Sequence, residues 1–231
     1  MKAVVLLSGG ADSATCLAIA VKENGKENVS ALSVFYGQRH AKETESAQKV
    51  AEYYGVPLYH VDLSATYQYS NCPLLSNSEK DLPMGSYEEQ SSRSTTGAVA
   101  TYVPFRNGLM LSSAGALALS LYPEQPVKLY YGAHRDDALG GAYPDCTPEF
   151  VSSMGSALKE GSGGWLELCA PLISLNKAGV IATGASLSVP YELTWSCYAG
   201  GEKHCGKCGT CIDRKKAFEI AGVPDPTIYE E

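Results

Sequence analysis

The 231-residue sequence contains no apolar stretch long enough to span a membrane and has no surplus of positive charge. Its Lys and Arg residues number 18 against 25 Asp and Glu residues, which gives a formal net charge of −7. Because phosphate backbones attract surplus lysine and arginine, this balance argues against a general nucleic-acid-binding protein. Only five apolar residues separate Lys2 from Ser8, which is too few for the core of a signal peptide. We therefore expect a cytoplasmic protein that binds neither a membrane nor a nucleic acid directly.

Four of the eight cysteines lie within fifteen residues, in the pattern C-x7-C-x2-C-x2-C. Thiolates at this density repel one another unless a cation neutralises them, and four thiolates suit a tetrahedral Zn²⁺ site. Such a site has no open coordination position, so the predicted zinc is structural. An iron–sulfur cluster and a set of unrelated buried cysteines are the alternatives. The four predicted zinc ligands are Cys197, Cys205, Cys208 and Cys211.

Short apolar runs alternate with helical patterns along the chain. Residues 2–7, 29–36, 57–61 and 127–131 are predicted strands. Helices are predicted at residues 12–22, 41–54, 107–121, 148–160, 175–186 and 212–221. This order predicts an α/β fold, a Rossmann-like open parallel sheet with helices on both faces. We expect an α/β domain at residues 1–190 and a small zinc-binding segment at residues 191–231.

The first predicted strand is followed by Ser8-Gly9-Gly10-Ala11-Asp12-Ser13 and then by a helix. Glycines let backbone N–H groups approach an oxyanion, and the helix N-terminus adds unsatisfied donors. The loop lacks the G-x-x-x-x-G-K-[ST] pattern, which suits a site that binds pyrophosphate as a leaving group. Asp12 is unusual beside phosphate and is predicted to bind Mg²⁺. The alternative is an ordinary turn in which Asp12 caps the helix.

Polar residues follow the other predicted strands, where open parallel sheets bind their ligands. Arg39 follows the second strand and Arg106 precedes a helix, and either guanidinium can bind a carboxylate. Asp137 and Asp145 follow the fourth strand and can bind Mg²⁺ or accept hydrogen bonds from a purine-like N–H edge. Turn, capping and surface roles are the alternatives. Lys177 near a helix N-terminus is electrostatically unfavourable, which indicates an anionic partner.

The loop resembles that of the N-type ATP pyrophosphatase superfamily, whose members transfer AMP to a substrate oxygen. The resemblance implies an adenine nucleotide alpha-hydrolase-like fold, with ATP bound from the end of the first strand through the first helical turns. It also implies that a late lysine, here Lys177, faces the phosphates. The implied ATP-binding residues are Leu7, Ser8, Gly9, Gly10, Ala11, Asp12, Ser13, Ala14, Thr15, Cys16 and Leu17.

Six motifs in order resemble the 7-cyano-7-deazaguanine synthase family, which acts in queuosine biosynthesis. They are the N-terminal loop, F-Y-G-Q-R-H at 35–40, V-P-F-R-N at 103–107, Y-P-D-C at 143–146, T-W-S-C at 194–197 and C-G-K-C-G-T-C at 205–211. The resemblance covers essentially the whole chain. It implies that 7-carboxy-7-deazaguanine, ammonia and ATP give the 7-cyano compound, with one zinc per chain on the four cysteines and a homodimer.

In this reaction adenylation cancels the carboxylate charge that repels ammonia, and a second activation of the amide oxygen leaves the nitrile. No nucleophilic side chain is needed, and we expect positioning and electrostatics to supply most of the rate. The predicted catalytic residues are Asp12, Lys177 and Arg106. The predicted substrate-binding residues are Arg39, Arg106, Asp137, Tyr143 and Asp145. Residues 64–102 show no regular pattern and are expected to form a lid.

Two other functions fit parts of the sequence. A tRNA-thiolating or tRNA-lysidine-type ligase of the same superfamily shares the ATP chemistry, but the acidic balance argues against a polynucleotide substrate. A zinc-ribbon binding module without catalysis leaves the phosphate loop unexplained.

Overall fold

The computed structural model describes residues 1–92 and 98–230, so the predicted lid lies partly outside the described residues. Within them, five strands form one sheet: β1 (Lys2–Leu6), β2 (Val29–Phe35), β3 (Leu58–Asp62), β4 (Val127–Tyr130) and β5 (Leu166–Cys169). Their order is β3-β2-β1-β4-β5, and every neighbouring pair is parallel. The strand order therefore reverses between β1 and β4, because β2 and β3 lie on one side of β1 whereas β4 and β5 lie on the other. In open parallel sheets this reversal creates a ligand-binding crevice at the carboxyl ends of the strands.

Helices cover both faces of the sheet, as the sequence predicts. They are α1 (Ala11–Asn24), α2 (Lys42–Tyr54), α3 (Tyr87–Ser92), α4 (Arg106–Leu121), α5 (Arg135–Ala138), α6 (Pro148–Gly161), α7 (Lys177–Ser186) and α8 (Gly209–Ala221). Along β1, Ala3 and Val5 pack with α1, α2, α7 and α8, whereas Val4 packs with α4 and α6. This alternation follows the two-residue period of a strand. No helix in the described part of the chain is long and apolar enough to cross a membrane.

The predicted element bounds differ from the observed ones by no more than three residues at either end. β5 has no counterpart in the prediction. It is four residues long and forms the edge of the sheet beside β4, and Glu167 interrupts its apolar pattern. The division into domains at residue 190 stays a prediction.

A buried arginine joins the carboxyl-terminal segment to the rest of the molecule. Arg214, on α8, is 1% exposed and donates to the Tyr191 carbonyl at 3.1 Å and to Thr194 Oγ1 at 2.9 Å. It also donates to Ser196 Oγ at 3.1 Å and lies 3.4 Å from Asp225 Oδ1. A buried guanidinium is stable only where acceptors satisfy its five donors, so this network fixes α8 against the chain before it.

Candidate active site

A cavity opens at the carboxyl ends of β1, β2 and β4. The loops that follow these three strands all contribute to its wall, which confirms that the predicted strand-end clusters converge. Further wall residues come from α2, α4, α7 and α8. Representative wall residues are Ser8, Asp12, Tyr36, Glu43, Arg106, His134, Tyr143, Lys177 and Trp195.

Two glycines allow backbone segments to approach closely beside this cavity. Gly9 has φ of +89°, and a Cβ there would lie 2.3 Å from the Glu43 carbonyl oxygen and 2.6 Å from the Ala47 nitrogen. Gly132 follows β4, and a Cβ there would lie 3.3 Å from the Asp12 carbonyl. The absent side chains thus let the loop after β1 pack between α2 and the loop after β4.

The loop after β1 is held by its own serines. The Ser8 N–H donates to Ser13 Oγ at 3.2 Å, and Ser13 Oγ donates to the Gly10 carbonyl at 3.1 Å. The first intrahelical bond of α1 runs from the Ala14 N–H to the Gly10 carbonyl at 3.0 Å. The amides of residues 11–13 precede that bond and are therefore outside the helical ladder. These free amides and the positive end of the helix dipole favour a negative charge at this position.

A charged cluster, here called the phosphate end, surrounds the first turn of α1. Lys177 Nζ donates to Asp12 Oδ2, and His134 Nε2 lies 3.7 Å from Asp12 Oδ1 and 3.3 Å from Asp137 Oδ1. Burial raises the pKa of Asp12, but the charges of Lys177 and His134 outweigh burial and hold that pKa below its usual value. Burial raises the pKa of Asp137 above its usual value. Asp12 does not cap the helix, because Gly10 occupies the N-cap position and no side chain caps it.

The opposite end of the cavity, here called the tyrosine chamber, consists of Tyr36, Tyr87, Tyr143, Tyr198 and Arg106. Arg106 Nη1 donates to Tyr36 Oη at 3.2 Å, and its guanidinium lies 5.0 Å from the centre of the Tyr36 ring. The Tyr87 and Tyr198 hydroxyls are hydrogen-bonded at 2.7 Å, and the Tyr87 ring meets the Tyr143 ring edge-to-face at 5.7 Å. Aromatic faces beside a half-buried cation suit a planar anionic ligand.

Two predicted substrate-binding residues are not among the residues of the cavity wall. Arg39 is exposed, and its guanidinium donates to the carbonyl oxygens of Ser78 and Lys80, away from the cavity wall. Asp145 is buried behind the wall, where Oδ2 accepts a hydrogen bond of 3.0 Å from the Asn107 N–H at the start of α4. Asp145 therefore caps the helix that presents Arg106. Arg106, Asp137 and Tyr143 do line the cavity.

The residues of the implied ATP segment lie in different places. Gly9 packs against α2 and Ala11 is buried in the core, so neither is among the wall residues. Leu7, Ser8, Gly10, Asp12 and Ser13 line the cavity. Ala14, Thr15, Cys16 and Leu17 are fully buried in the core on the other side of α1. Thr15 Oγ1, for example, donates to the Ala11 carbonyl and is hydrogen-bonded to Tyr191 Oη at 3.0 Å. These four residues support the loop from behind and do not face the cavity.

Sequence reasoning assigned no role to several wall residues. The backbone N–H of Trp195 donates to the Gly9 carbonyl at 2.9 Å. Thr210 and Asp213 line the cavity from α8. Glu43 lies in the first turn of α2, where an acidic residue is ordinary. Only the tertiary fold brings these residues to the site. Trp195 and Thr210 carry a local signal, because they lie within the T-W-S-C and C-G-K-C-G-T-C motifs.

The four clustered cysteines form a closed metal-binding geometry. Cys197, Cys205, Cys208 and Cys211 are all buried, and their sulfur atoms lie within 4.8 Å of one another. Tetrahedral Zn–S bonds of about 2.3 Å place sulfur atoms roughly 3.8 Å apart, so the group fits a single ion. Backbone N–H groups also donate to the sulfurs, as from Cys205 to Cys197 Sγ at 3.3 Å. His204 is not needed as a ligand, since its Nε2 accepts from the Ser196 N–H at 3.1 Å.

Together, fold and site define a Rossmann-like α/β protein in which the first helix begins beside a cavity, at the point where the strand order reverses. Comparison with known families makes this specific. The family model described as "Queuosine biosynthesis protein QueC" matches residues 2–222. The chain therefore belongs to the QueC family.

Curated relatives match the chain over its whole length. The chain is 43% identical over 230 residues to the 7-cyano-7-deazaguanine synthase of Caldicellulosiruptor bescii, covering 100% of this chain and 98% of the relative. It is 40% identical over 233 residues to the enzyme of the same name from Archaeoglobus fulgidus, covering 100% and 91%. The fold is also similar to that of NMN synthetase from Francisella tularensis, with a TM-score of 0.52, 17% identity and coverage of 96% and 78%.

Proposed function

We propose that this protein is an ATP-dependent ligase that converts 7-carboxy-7-deazaguanine and ammonia to 7-cyano-7-deazaguanine. The observation that supports this most strongly is the pairing, in one cavity, of a loop suited to anions with a half-buried arginine among tyrosine rings. The first feature suits the triphosphate of ATP, and the second suits a planar heterocycle with a carboxylate. Family membership and the names of the curated relatives agree with it.

At the phosphate end, we assign the amides of residues 11–13 and the Ser8 hydroxyl to the phosphates of ATP. Lys177 balances the charge that develops on pyrophosphate as it leaves, and Asp12 holds Lys177 in place. Burial lowers the pKa of Lys177, but Asp12 and Asp137 outweigh burial, so that pKa stays above its usual value and the ammonium stays charged at neutral pH.

At the other end, Arg106 binds the substrate carboxylate and Tyr143 contacts the heterocycle. The carboxylate oxygen attacks the α-phosphorus of ATP and pyrophosphate leaves, which gives an acyl adenylate. Ammonia then displaces AMP and forms the amide. Transfer of a second AMP to the amide oxygen, followed by loss of AMP and a proton from nitrogen, leaves the nitrile. Arg106 and Lys177 act by position and charge, and no protein nucleophile takes part.

Two metal ions belong to this proposal. Zn²⁺ fits the four buried cysteine sulfurs, where it holds the carboxyl-terminal segment in its folded form. Asp12 Oδ1 is buried and accepts no hydrogen bond from the described residues, so the chain offers an unused carboxylate oxygen to Mg²⁺. Bound there, Mg²⁺ would supply charge compensation for the phosphates.

A homodimer, direct contact with small molecules only and a cytoplasmic location complete the proposal. Sedimentation equilibrium tests the dimer, and an electrophoretic mobility assay with tRNA tests the absence of nucleic-acid binding.

The decisive experiment for the function incubates the purified, zinc-loaded protein with 7-carboxy-7-deazaguanine, ammonium and ATP, and analyses the product by mass spectrometry. We expect 7-cyano-7-deazaguanine to form only when all three are present. Unchanged carboxylic acid in the complete mixture, with zinc bound and the fold intact, would contradict the proposal.

A further inference from the structure

Beside the tyrosine chamber, the cavity wall carries two opposite charges that the protein does not pair with each other. Glu43, in the first turn of α2, lines the cavity beside Arg106. Among the described residues, its carboxylate accepts no hydrogen bond and forms no close ion pair. Arg106 donates to Tyr36 Oη and forms no close ion pair within the described part of the chain. Both charged groups are therefore available to something that enters the cavity.

These unpaired charges make a demand on any ligand that fills the cavity. Glu43 and Arg106 are partly buried, and burial raises the pKa of the Glu43 carboxyl, an effect that the charges of Arg106 and His40 only partly offset. A ligand that expels water from around both groups must supply the partners that the water provided. Such a ligand presents an anion or strong acceptor to Arg106 and one or more N–H donors to Glu43.

ATP meets only part of this requirement. Its adenosine portion carries an amine but no anionic group, and its triphosphate belongs to the loop at the other end of the cavity. A 2-amino-4-oxopyrimidine ring fused to a carboxylated pyrrole carries both groups. Its ring N–H and exocyclic amine are adjacent donors, which match the two oxygens of one carboxylate.

We propose that the Glu43 carboxylate accepts hydrogen bonds from the ring N–H and the exocyclic amine of the heterocycle. The ring then lies among the tyrosines, and its carboxylate binds Arg106. This inference rests on the proposed function and assigns a specificity-determining role within the same site. The other acidic candidates lie elsewhere. Asp145 caps α4, Asp137 faces His134 in the phosphate end, and the charges around Asp213 are those of Lys177, Asp137 and His134. Glu43 remains as the acceptor beside Arg106.

The test compares Glu43→Gln with Glu45→Gln. Glu45 lies in the same first turn of α2 but is exposed, with Lys42 at 4.0 Å, so it shares the helix-dipole contribution without facing the cavity. Calorimetry measures the Kd of each variant for 7-carboxy-7-deazaguanine and, separately, for ATP with Mg²⁺. A second ligand is the analogue that lacks the exocyclic amine. Thermal unfolding and zinc content verify that each variant is folded.

We expect Glu43→Gln to weaken binding of the heterocycle roughly 10- to 100-fold, because an amide offers one acceptor where the carboxylate offers two. The Kd for ATP should change less than about twofold, because the Glu43 side chain takes no part in the hydrogen bonds and ion pairs of Asp12, Lys177 and His134. The wild type should discriminate against the analogue without the amine, and Glu43→Gln should largely lose that discrimination. Glu45→Gln should match the wild type throughout.

Three results would overturn the assignment. The first is Glu43→Gln binding the heterocycle like Glu45→Gln. The second is Glu43→Gln weakening ATP binding while leaving the heterocycle unaffected, which would give the chamber to the nucleotide. The third is a folded wild type that does not bind the heterocycle. A wild type that binds the heterocycle but forms no nitrile would contradict the proposed function alone, and the comparison of the two variants would still decide the role of Glu43.

Discussion

Asp12 and Asp137 flank the same histidine, yet their pKa values move in opposite directions. Lys177 pairs with Asp12 and, with His134, lowers its pKa, whereas burial dominates at Asp137. A carboxyl with a lowered pKa contributes stability above its unfolded pKa and loses it as the pH falls through the folded pKa. The Asp12–Lys177 pair is therefore intact throughout the neutral range.

We predict that Asp12→Asn loses nitrile formation by more than about 100-fold while zinc stays bound, because the neutral amide no longer holds the lysine ammonium in place. The same substitution should lower the free energy of unfolding by an amount that is constant from about pH 6 to 9 and shrinks in acid, as the wild-type carboxylate becomes protonated. Steady-state assays and urea titrations measure both effects. Full activity in Asp12→Asn would remove this carboxylate from the mechanism.

Cys146 lines the cavity and is the obvious candidate for a covalent nucleophile. Burial raises the pKa of this thiol far above its usual value, and the charge of Asp137 adds to the effect. Its sulfur accepts from Asn107 Nδ2 at 3.3 Å, which a serine hydroxyl can also do. We therefore predict that Cys146→Ser retains kcat within about threefold. A loss of several hundredfold in a folded variant would show that the thiol reacts.

At the residue scale, the sequence predicted types of chemistry better than exact positions. Arg106 and Lys177 line the cavity because each begins a helix that points at the carboxyl edge of the sheet. Arg39 follows β2 at the same edge, but its guanidinium donates hydrogen bonds to carbonyl oxygens in the loop at residues 78–80. Glu43 lies in none of the sequence motifs. Contacts between distant segments decide such cases, and spacing along the chain does not encode them.

At the scale of elements, the loop after β1 depends on the absence of a side chain at Gly9. A methyl group there would meet backbone atoms of α2 at 2.3 and 2.6 Å, and φ of +89° is strained for any other residue. We predict that Gly9→Ala lowers the free energy of unfolding by about 1–3 kcal/mol and weakens ATP binding. Urea unfolding and calorimetry measure the two effects.

Gly10→Ala is the matched control for that substitution. Gly10 has φ of −79°, and a Cβ there would lie no closer than 3.5 Å to Ser8 Oγ and 3.6 Å to the Trp195 carbonyl. Its stability should remain near that of the wild type. Equal destabilisation by both alanines would mean that the close approach of α2 to Gly9 does not determine the loop conformation.

The sequence predicts an element correctly where a strong local pattern coincides with a role in the tertiary fold. β1 and β2 are almost continuously apolar because helices cover both faces, and the pattern alone identifies them. β5 is short, lies at the sheet edge and contains a glutamate, so pairing with β4 defines it more than its own sequence does. Likewise, α8 begins at Gly209, between Cys208 and Cys211, so the cysteine motif holds the predicted metal ligands and also the start of the helix.

At the scale of the whole molecule, the cysteine segment forms part of the cavity as well as the end of the chain. The backbone N–H of Trp195 donates to the Gly9 carbonyl, and Thr210, two residues after Cys208 in the first turn of α8, lines the cavity. We predict that chelating zinc lowers Tm by more than about 10 °C, because a structural zinc contributes several kcal/mol to folding. It should also weaken ATP binding. Scanning calorimetry and Trp fluorescence measure both, with restoration by added zinc as the control.

Cys208→Ser should reproduce the effect of chelation, whereas Cys169→Ser, outside the cluster, should not. A metal-free protein with unchanged Tm and unchanged ATP affinity would show that the cysteine segment supports neither the fold nor the ATP site.

The most direct test of the whole account follows the substrate oxygens. With both carboxylate oxygens labelled as ¹⁸O, each activation at the phosphate end should transfer one labelled oxygen to the nucleotide, so mass spectrometry should find two labelled AMP molecules for each nitrile formed. Label in inorganic phosphate, or in solvent water with unlabelled AMP, would contradict adenylation at the loop that Asp12 and Lys177 serve.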